Sequence, residues 1–244
     1  MPQTKSAYGY SVEKTEGGKI NWTGILTENI SQVGKPMDIK KPAIFFVSSM
    51  SDIFHKNMSF YMIDDLFDIM NRCPQHTFKV LTKRQDEMAA YYFWKRNGSG
   101  YRFPVWPLPN VHLGVSVENQ EYADKRIPKL MECEAKVRFL SCEPLLGPVD
   151  ITNAGIKDGY SVPTRFTTDG KGIEWTDPGG MFIGVNQVIV GGESGPGARP
   201  MNPDWVRDIR DQCEGSGVAF YFKQWGGKTK GNILDGVQYL ESPH

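Results

Sequence analysis

Two hydrophobic rhythms alternate along the chain. Short, nearly continuous apolar runs stand at about 43–48, 77–82, 111–117, 136–141, 187–191 and 218–223. Between them, apolar residues recur at helical spacing. Ile63, Leu66, Phe67 and Met70 follow Ser59, which can cap a helix. Met88, Tyr91 and Tyr92 mark a second helix, closed by Asn97-Gly98, and the Tyr91-Tyr92-Phe93-Trp94 cluster reads as core packing. Asn119 precedes Ala123, Ile127, Leu130 and Met131, a helix in which Pro128 is expected to cause an interruption. Asn202-Pro203 opens a fourth helix with Trp205, Ile209 and Cys213 on its buried stripe, ended by Gly215 and Gly217.

Strand alternating with amphipathic helix implies a parallel sheet with right-handed crossovers. The nearly unbroken apolar runs fit strands buried on both faces. The expected fold class is α/β: a partial or open (βα) barrel of about six parallel strands. A doubly wound sheet is the alternative, and periodicity does not separate the two. Residues 1–40 read as an appendage, with a hairpin around Glu16-Gly17-Gly18 and a polar connection to Lys41-Pro42. The barrel-like domain is expected over residues 41–226, and residues 227–244 form a tail. Residues 150–186 break the rhythm and read as an inserted hairpin or loop around Gly172–Thr176.

Composition narrows the classes. The 28 basic and 28 acidic residues cancel, so no strong basic surface for non-specific nucleic-acid binding is expected. No apolar run approaches the ~20 residues of a membrane helix, and the first residues lack a signal peptide's apolar core. A membrane partner is therefore not expected. The four cysteines, Cys73, Cys133, Cys142 and Cys213, include no C-x-x-C pair, which favours a reduced, cytoplasmic setting. His55, His76 and His112 have no ligand spacing, so no metal site is expected from them.

In barrels and open α/β sheets, ligands sit at the carboxyl ends of strands. The polar residues there are the candidates. Glu118, Glu143 and Glu193 end three strands and would repel unless met by Lys83, Arg84, Arg199, Lys223, a metal or a cationic ligand. Glu143, Glu118, Lys223 and Cys142 are the candidate catalytic residues, with Cys142 expected to face the mouth. Ser49, Ser51, Asp52, Lys83, Arg84, Ser116, Gly191, Gly192, Glu193 and Arg199 are candidates for holding a cofactor. The Gly191–Gly197 loop could approach an anion through its backbone. It is neither a P-loop nor a Rossmann fingerprint.

Six ordered blocks resemble a bacteriophage-associated family of radical S-adenosylmethionine-like proteins. They are Phe46–His55 (FVSSMSDIFH), His76–Arg84 (HTFKVLTKR), Leu113–Glu118 (LGVSVE), Arg138–Pro148 (RFLSCEPLLGP), Val190–Met201 (VGGESGPGARPM) and Phe222–Gly226 (FKQWG). The resemblance implies a radical SAM-like barrel, S-adenosylmethionine and a [4Fe–4S] cluster as cofactors, and a nucleotide or nucleic-acid-derived substrate. Such proteins carry a three-cysteine loop close to the amino terminus, whereas the first cysteine here is Cys73. The cluster is therefore expected to be absent from this chain, through truncation or loss of that loop, and enzyme activity is expected only with the loop restored. The Gly-Gly-Glu of Gly191–Glu193 comes late, so Ser49, Ser51 and Asp52 are better placed for the methionine end of the cofactor. Two other readings of the same residues stay open. One is a non-catalytic barrel binding a small anionic ligand or a partner protein; the other is a metal-dependent lyase or hydrolase using the strand-end glutamates.

Overall fold

The computed structural model describes residues 12–14, 20–22, 33–47, 51–97, 105–152, 165–166, 173–174, 184–227 and 231–243. Ser49, Gly98 and most of the 150–186 insertion lie outside the described residues. Contacts divide the chain into two units, Met1–Lys40 and Lys41–His244. In the first, β1 (Val12–Lys14) pairs antiparallel with β2 (Ile20–Trp22), and a single turn of helix, α1, covers Lys35–Asp38.

The second unit is built on six strands: β3 (Ile44–Val47), β4 (Thr77–Thr82), β5 (Val111–Ser116), β6 (Val137–Cys142), β9 (Gln187–Gly191) and β10 (Ala219–Gln224). The short pair β7 (Arg165–Phe166) and β8 (Ile173–Glu174) falls between β6 and β9 in the chain. All six are parallel, and they lie side by side in chain order. That order decides between the two expected architectures. A doubly wound sheet reverses direction partway; here every crossover steps the same way, so crossovers of one hand put all the helices on one face. The result is a half-barrel.

The helices are α2 (Phe60–Asn71), α3 (Gln85–Asn97), α4 (Gln120–Met131) and α5 (Pro203–Ser216). Ser59, Asn119 and Asn202 cap three of them, each accepting a backbone N–H of the first turn. Gly217 closes α5 in the left-handed conformation, at φ 67°. Pro128 does not interrupt α4, contrary to expectation: the helix runs on to Met131, and the Pro128 carbonyl still accepts from Glu132 N–H. Between α2 and α3, the buried Lys95 ammonium and Tyr91 hydroxyl both meet the Asp64 carboxylate. Tyr91 and Tyr92 are core residues, whereas Phe93 is exposed. Among the described residues no helix is long and apolar enough to cross a membrane.

Strand register assigns each side chain to a face. Phe78, Val80, Leu113, Val115, Leu140, Cys142, Val188, Val190, Phe220 and Phe222 share the helix-covered face and belong to the main core, with Phe45 and Val47 of the same face packed against it half-buried. Phe46, Lys79, His112, Gly114, Ser116, Phe139, Ser141, Gln187 and Ile189 share the concave face. Lys79 Nζ donates to Gln187 Oε1 at 3.0 Å although two strands separate β4 from β9. Three inter-strand spacings come to about 14 Å on a flat sheet, so the sheet must curl for the two side chains to meet. The outer edge of β10 is covered: Phe222 N–H donates to Tyr239, Glu241 N–H donates to Phe220, and Tyr221 bridges Leu240. The expected tail thus contributes an antiparallel segment, reached through the small hairpin of β11 (Ile233–Leu234) and β12 (Val237–Gln238).

Phe139 is fully buried on the concave face, its ring lying over the bare Cα of Gly114. A methyl group at Gly114 would stand 2.6 Å from the ring. Gly114→Ala should therefore cost about 1–3 kcal/mol of stability, as overpacking does. Urea unfolding measures it, and Phe139→Leu in the same chain should recover part of the loss. An unchanged midpoint for Gly114→Ala would contradict this packing.

Candidate functional site

The carboxyl ends of β5, β6, β9 and β10 are neighbours, and three of them bring a carboxylate to the rim. Glu118, one turn residue past Val117, continues the concave-face parity of β5. Its Oε1 meets Lys83 Nζ from the end of β4, and its Oε2 meets Arg126 Nη1 of α4 at 2.7 Å. The same guanidinium nitrogen donates to the Ser116 carbonyl at 2.8 Å and the cation lies over the Tyr122 ring. Arg126 was not among the sequence candidates. Its signal was a basic residue inside the apolar stripe of Ala123, Ile127 and Leu130.

Glu143 ends β6 and is followed by a cis peptide to Pro144. Its Oε1 lies 3.0 Å from Lys223 Nζ, and Ser141 Oγ donates to Oε2 at 3.3 Å. Lys223 stands in a β-bulge of β10 between Phe222 and Gln224. Two backbone bonds knit the turn to its neighbours: Leu145 N–H to the Gly191 carbonyl and Leu146 N–H to the Glu118 carbonyl. Glu193, two residues beyond β9, is gripped by Arg199, whose Nε, Nη2 and backbone N–H all donate to it at 2.8–2.9 Å. Arg199 holds the Glu193 carboxyl well below the usual range, at about 2.

In all three pairs the carboxylate is the sheltered partner. Side-chain exposure is 7% for Glu118 against 56% for Lys83, 20% for Glu143 against 55% for Lys223, and 29% for Glu193 against 59% for Arg199. The rim thus turns Lys83, Lys223 and Arg199 outward, while Arg126 is as buried as Glu118.

The glycines of this region serve close packing. A Cβ on Gly191 would lie 2.5 Å from Glu143 Oε1, and one on Gly192 would lie 1.9 Å from the Trp225 carbonyl oxygen. Gly226, at φ 89°, sits equally tightly against the Glu193 backbone. The loops after β9 and β10 are therefore zipped together, with Gly192 N–H on the Gln224 carbonyl and Gly227 N–H on the Glu193 carbonyl.

The other candidates fall differently. Asp52 accepts from Thr82 Oγ1 and from the backbone N–H groups of Phe54 and Lys83, which ties the segment after β3 to the end of β4. Arg84 donates its backbone N–H to Thr82 Oγ1 and pairs with Glu87 on α3 at 3.7 Å. Ser51 is exposed, and Ser116 is buried on the concave face next to Ser141. The expectation for Cys142 is overturned. Register puts it on the helix-covered face, fully buried, where desolvation and nearby Cys213 push its thiol well up, so it does not face the mouth. A separate surface groove, lined by Phe60, Asp86, Phe93, Trp94, Lys129 and Glu132, lies on the outer helical layer.

The thiols do not fit a [4Fe–4S] cluster. Cys73, Cys133, Cys142 and Cys213 are all buried and unbridged, the first two just past α2 and α4, the others on β6 and α5, and burial raises each thiol, to about 12 for Cys133 and Cys213. Cluster binding needs several thiolates around one small cube. Among the described residues no group of three or more His, Cys, Asp or Glu side chains is arranged to hold a metal.

Fold and rim together define an α/β half-barrel protein with a charge-paired mouth. The family model described as "Protein of unknown function (DUF5131)" matches residues 4–243, and the chain belongs to that family. Neither the curated proteins nor the solved structures contain a match.

The Glu193–Arg199 pair carries a pH prediction. A carboxyl depressed from 4.5 to about 2 contributes stability that is fully present above its ordinary range and is lost as pH falls through about 2. Arg199→Leu should return the Glu193 titration, followed by carboxyl-carbon NMR, toward 4.5. A midpoint that stays near 2 would show that the Arg199 guanidinium is not the cause.

Proposed function

We propose that this chain is a radical SAM-like half-barrel whose mouth binds a small molecule carrying an anionic group, without iron–sulfur chemistry of its own. The observation that carries the reading is the outward orientation of Lys83, Lys223 and Arg199 over sheltered carboxylates. An ammonium held by one carboxylate keeps further N–H donors, and charge-assisted bonds to an incoming carboxylate or phosphate are among the stronger hydrogen bonds. S-adenosylmethionine, which carries a carboxylate, and nucleotides, which carry phosphate, are the candidate ligands. Both come from the family resemblance of the six sequence blocks. Lys83 and Lys223 would hold the anionic end.

The metal-dependent reading of the three glutamates is weaker, because each carboxylate would have to exchange an ammonium or guanidinium partner for the ion. The reading sets the protein in a reducing, cytoplasmic compartment, in line with four unbridged cysteines.

Calorimetry with S-adenosylmethionine, nucleoside monophosphates and the matching uncharged nucleosides tests it. The ligands carrying a carboxylate or phosphate should bind better than the uncharged nucleosides, and Lys223→Met should weaken them about tenfold or more, the worth of one charge-assisted bond. Equal binding of charged and uncharged ligands, or affinity unmoved by both Lys83→Met and Lys223→Met, would overturn it.

A further inference from the structure

A second polar cluster lies lower on the concave face, away from the rim. Lys79 on β4 and His112 on β5 are Cα partners in register, so their side chains leave the same face about 4.8 Å apart. Glu118 follows His112 by six positions, about 20 Å along an extended chain. The Phe139 ring packed over Gly114 stands between the two levels. Lys79 Nζ donates to Gln187 Oε1 and lies 5.6 Å from the Phe139 ring centroid. Gln187 is itself fixed, its Nε2 donating to the Glu241 carbonyl at 2.7 Å. Among the described residues Lys79 has no carboxylate partner.

A structural strut explains only part of this. The Lys79–Gln187 bond uses one of three ammonium N–H groups, and a half-buried cation without a counter-charge is costly. His112 adds a second anomaly: its Nδ1 is closed off from solvent and, among the described residues, has no hydrogen-bond partner. A buried N–H lacking an acceptor costs more than a bare ring nitrogen, so the neutral ring carries its proton on Nε2. Burial and the neighbouring Lys79 hold His112 down at about 4, so the ring is a neutral donor at ordinary pH. Both residues keep partial exposure, and exposed Phe46, the Cα partner of Lys79 on edge strand β3, leaves that side of the face open.

We propose that Lys79 and His112 form an oxyanion-binding subsite on the concave face, taking a small carboxylate or phosphate between the ammonium and the Nε2–H of the imidazole. The anion supplies the missing counter-charge and accepts from both donors. Gln187 positions Lys79, and the Phe139 ring closes the floor. The subsite does not depend on the mouth, since no residue is shared.

The chain contains four histidines, so Cε1-labelled histidine gives a resolvable NMR spectrum, with His112→Gln identifying the signal. Inorganic phosphate and acetate are titrated separately in an amine buffer at constant ionic strength. The His112 signal should shift saturably with one or both anions, and the arm that saturates at lower concentration identifies the preferred class. Lys79→Met, and Lys79→Gln as the variant that keeps a partner for Gln187, should each weaken the response about tenfold or more. The remaining histidine signals report that the fold is intact. Lys223→Met should leave the His112 response unchanged, which separates this subsite from the mouth. No saturable His112 shift with either anion, or the same shift in both folded Lys79 variants, would overturn the proposal.

Discussion

The mouth depends on one contact, a carboxylate seated against a bare glycine. Glu143 projects from the end of β6 into the space a side chain at Gly191 would fill, and there it meets Lys223 from β10. A single carboxylate thereby joins the ends of three neighbouring strands. The turn that follows hands its next two N–H groups to the Gly191 and Glu118 carbonyls, so the strand ends are fixed through backbone as well as charge. Glycine at 192 and 226 then lets the two adjacent loops approach at backbone distance. Larger residues at these positions would push the loops apart before any ligand could matter.

The two faces of the half-barrel answer to different physics. The helix-covered face is a continuous apolar layer from Phe45 to Phe222, sealed by the buried stripes of α2 to α5. Its polar members, such as the Asp64–Lys95–Tyr91 set, are paired with one another. The concave face is mixed, with hydroxyls, an imidazole, an amide and an ammonium interleaved with Phe139 and Ile189. A closed barrel would have to fill such an interior with packed side chains. A half-barrel leaves it partly open, which is where a ligand can supply the missing partners.

The alternation of strand and helix was legible because apolar period and capping residues agree at Ser59, Asn119 and Asn202. The strand-end glutamates were legible for a physical reason too: a carboxylate closing an apolar run needs a cation, and each has one. Strand order was not, since period describes a strand's faces but not its neighbours. Cys142 was misplaced by treating the whole strand end as one surface. Register with Val190 sends Cys142 to the helices, while adjacent Glu143 reaches the mouth. Lys79 and His112 sit inside strands, where a long or ring-shaped polar side chain looks in sequence like any exposed strand position. Only strand pairing sets them side by side, and only the curl of the sheet brings Gln187 to Lys79.

Anomalous diffraction from crystals soaked in selenate would test most directly whether the mouth is built to receive an anion. An ordered selenium peak is expected at the strand ends, within hydrogen-bonding distance of Lys223 or Lys83 and clear of lattice neighbours. Selenate found only on lattice surfaces, with both lysines accessible and turned to bulk solvent, would contradict it.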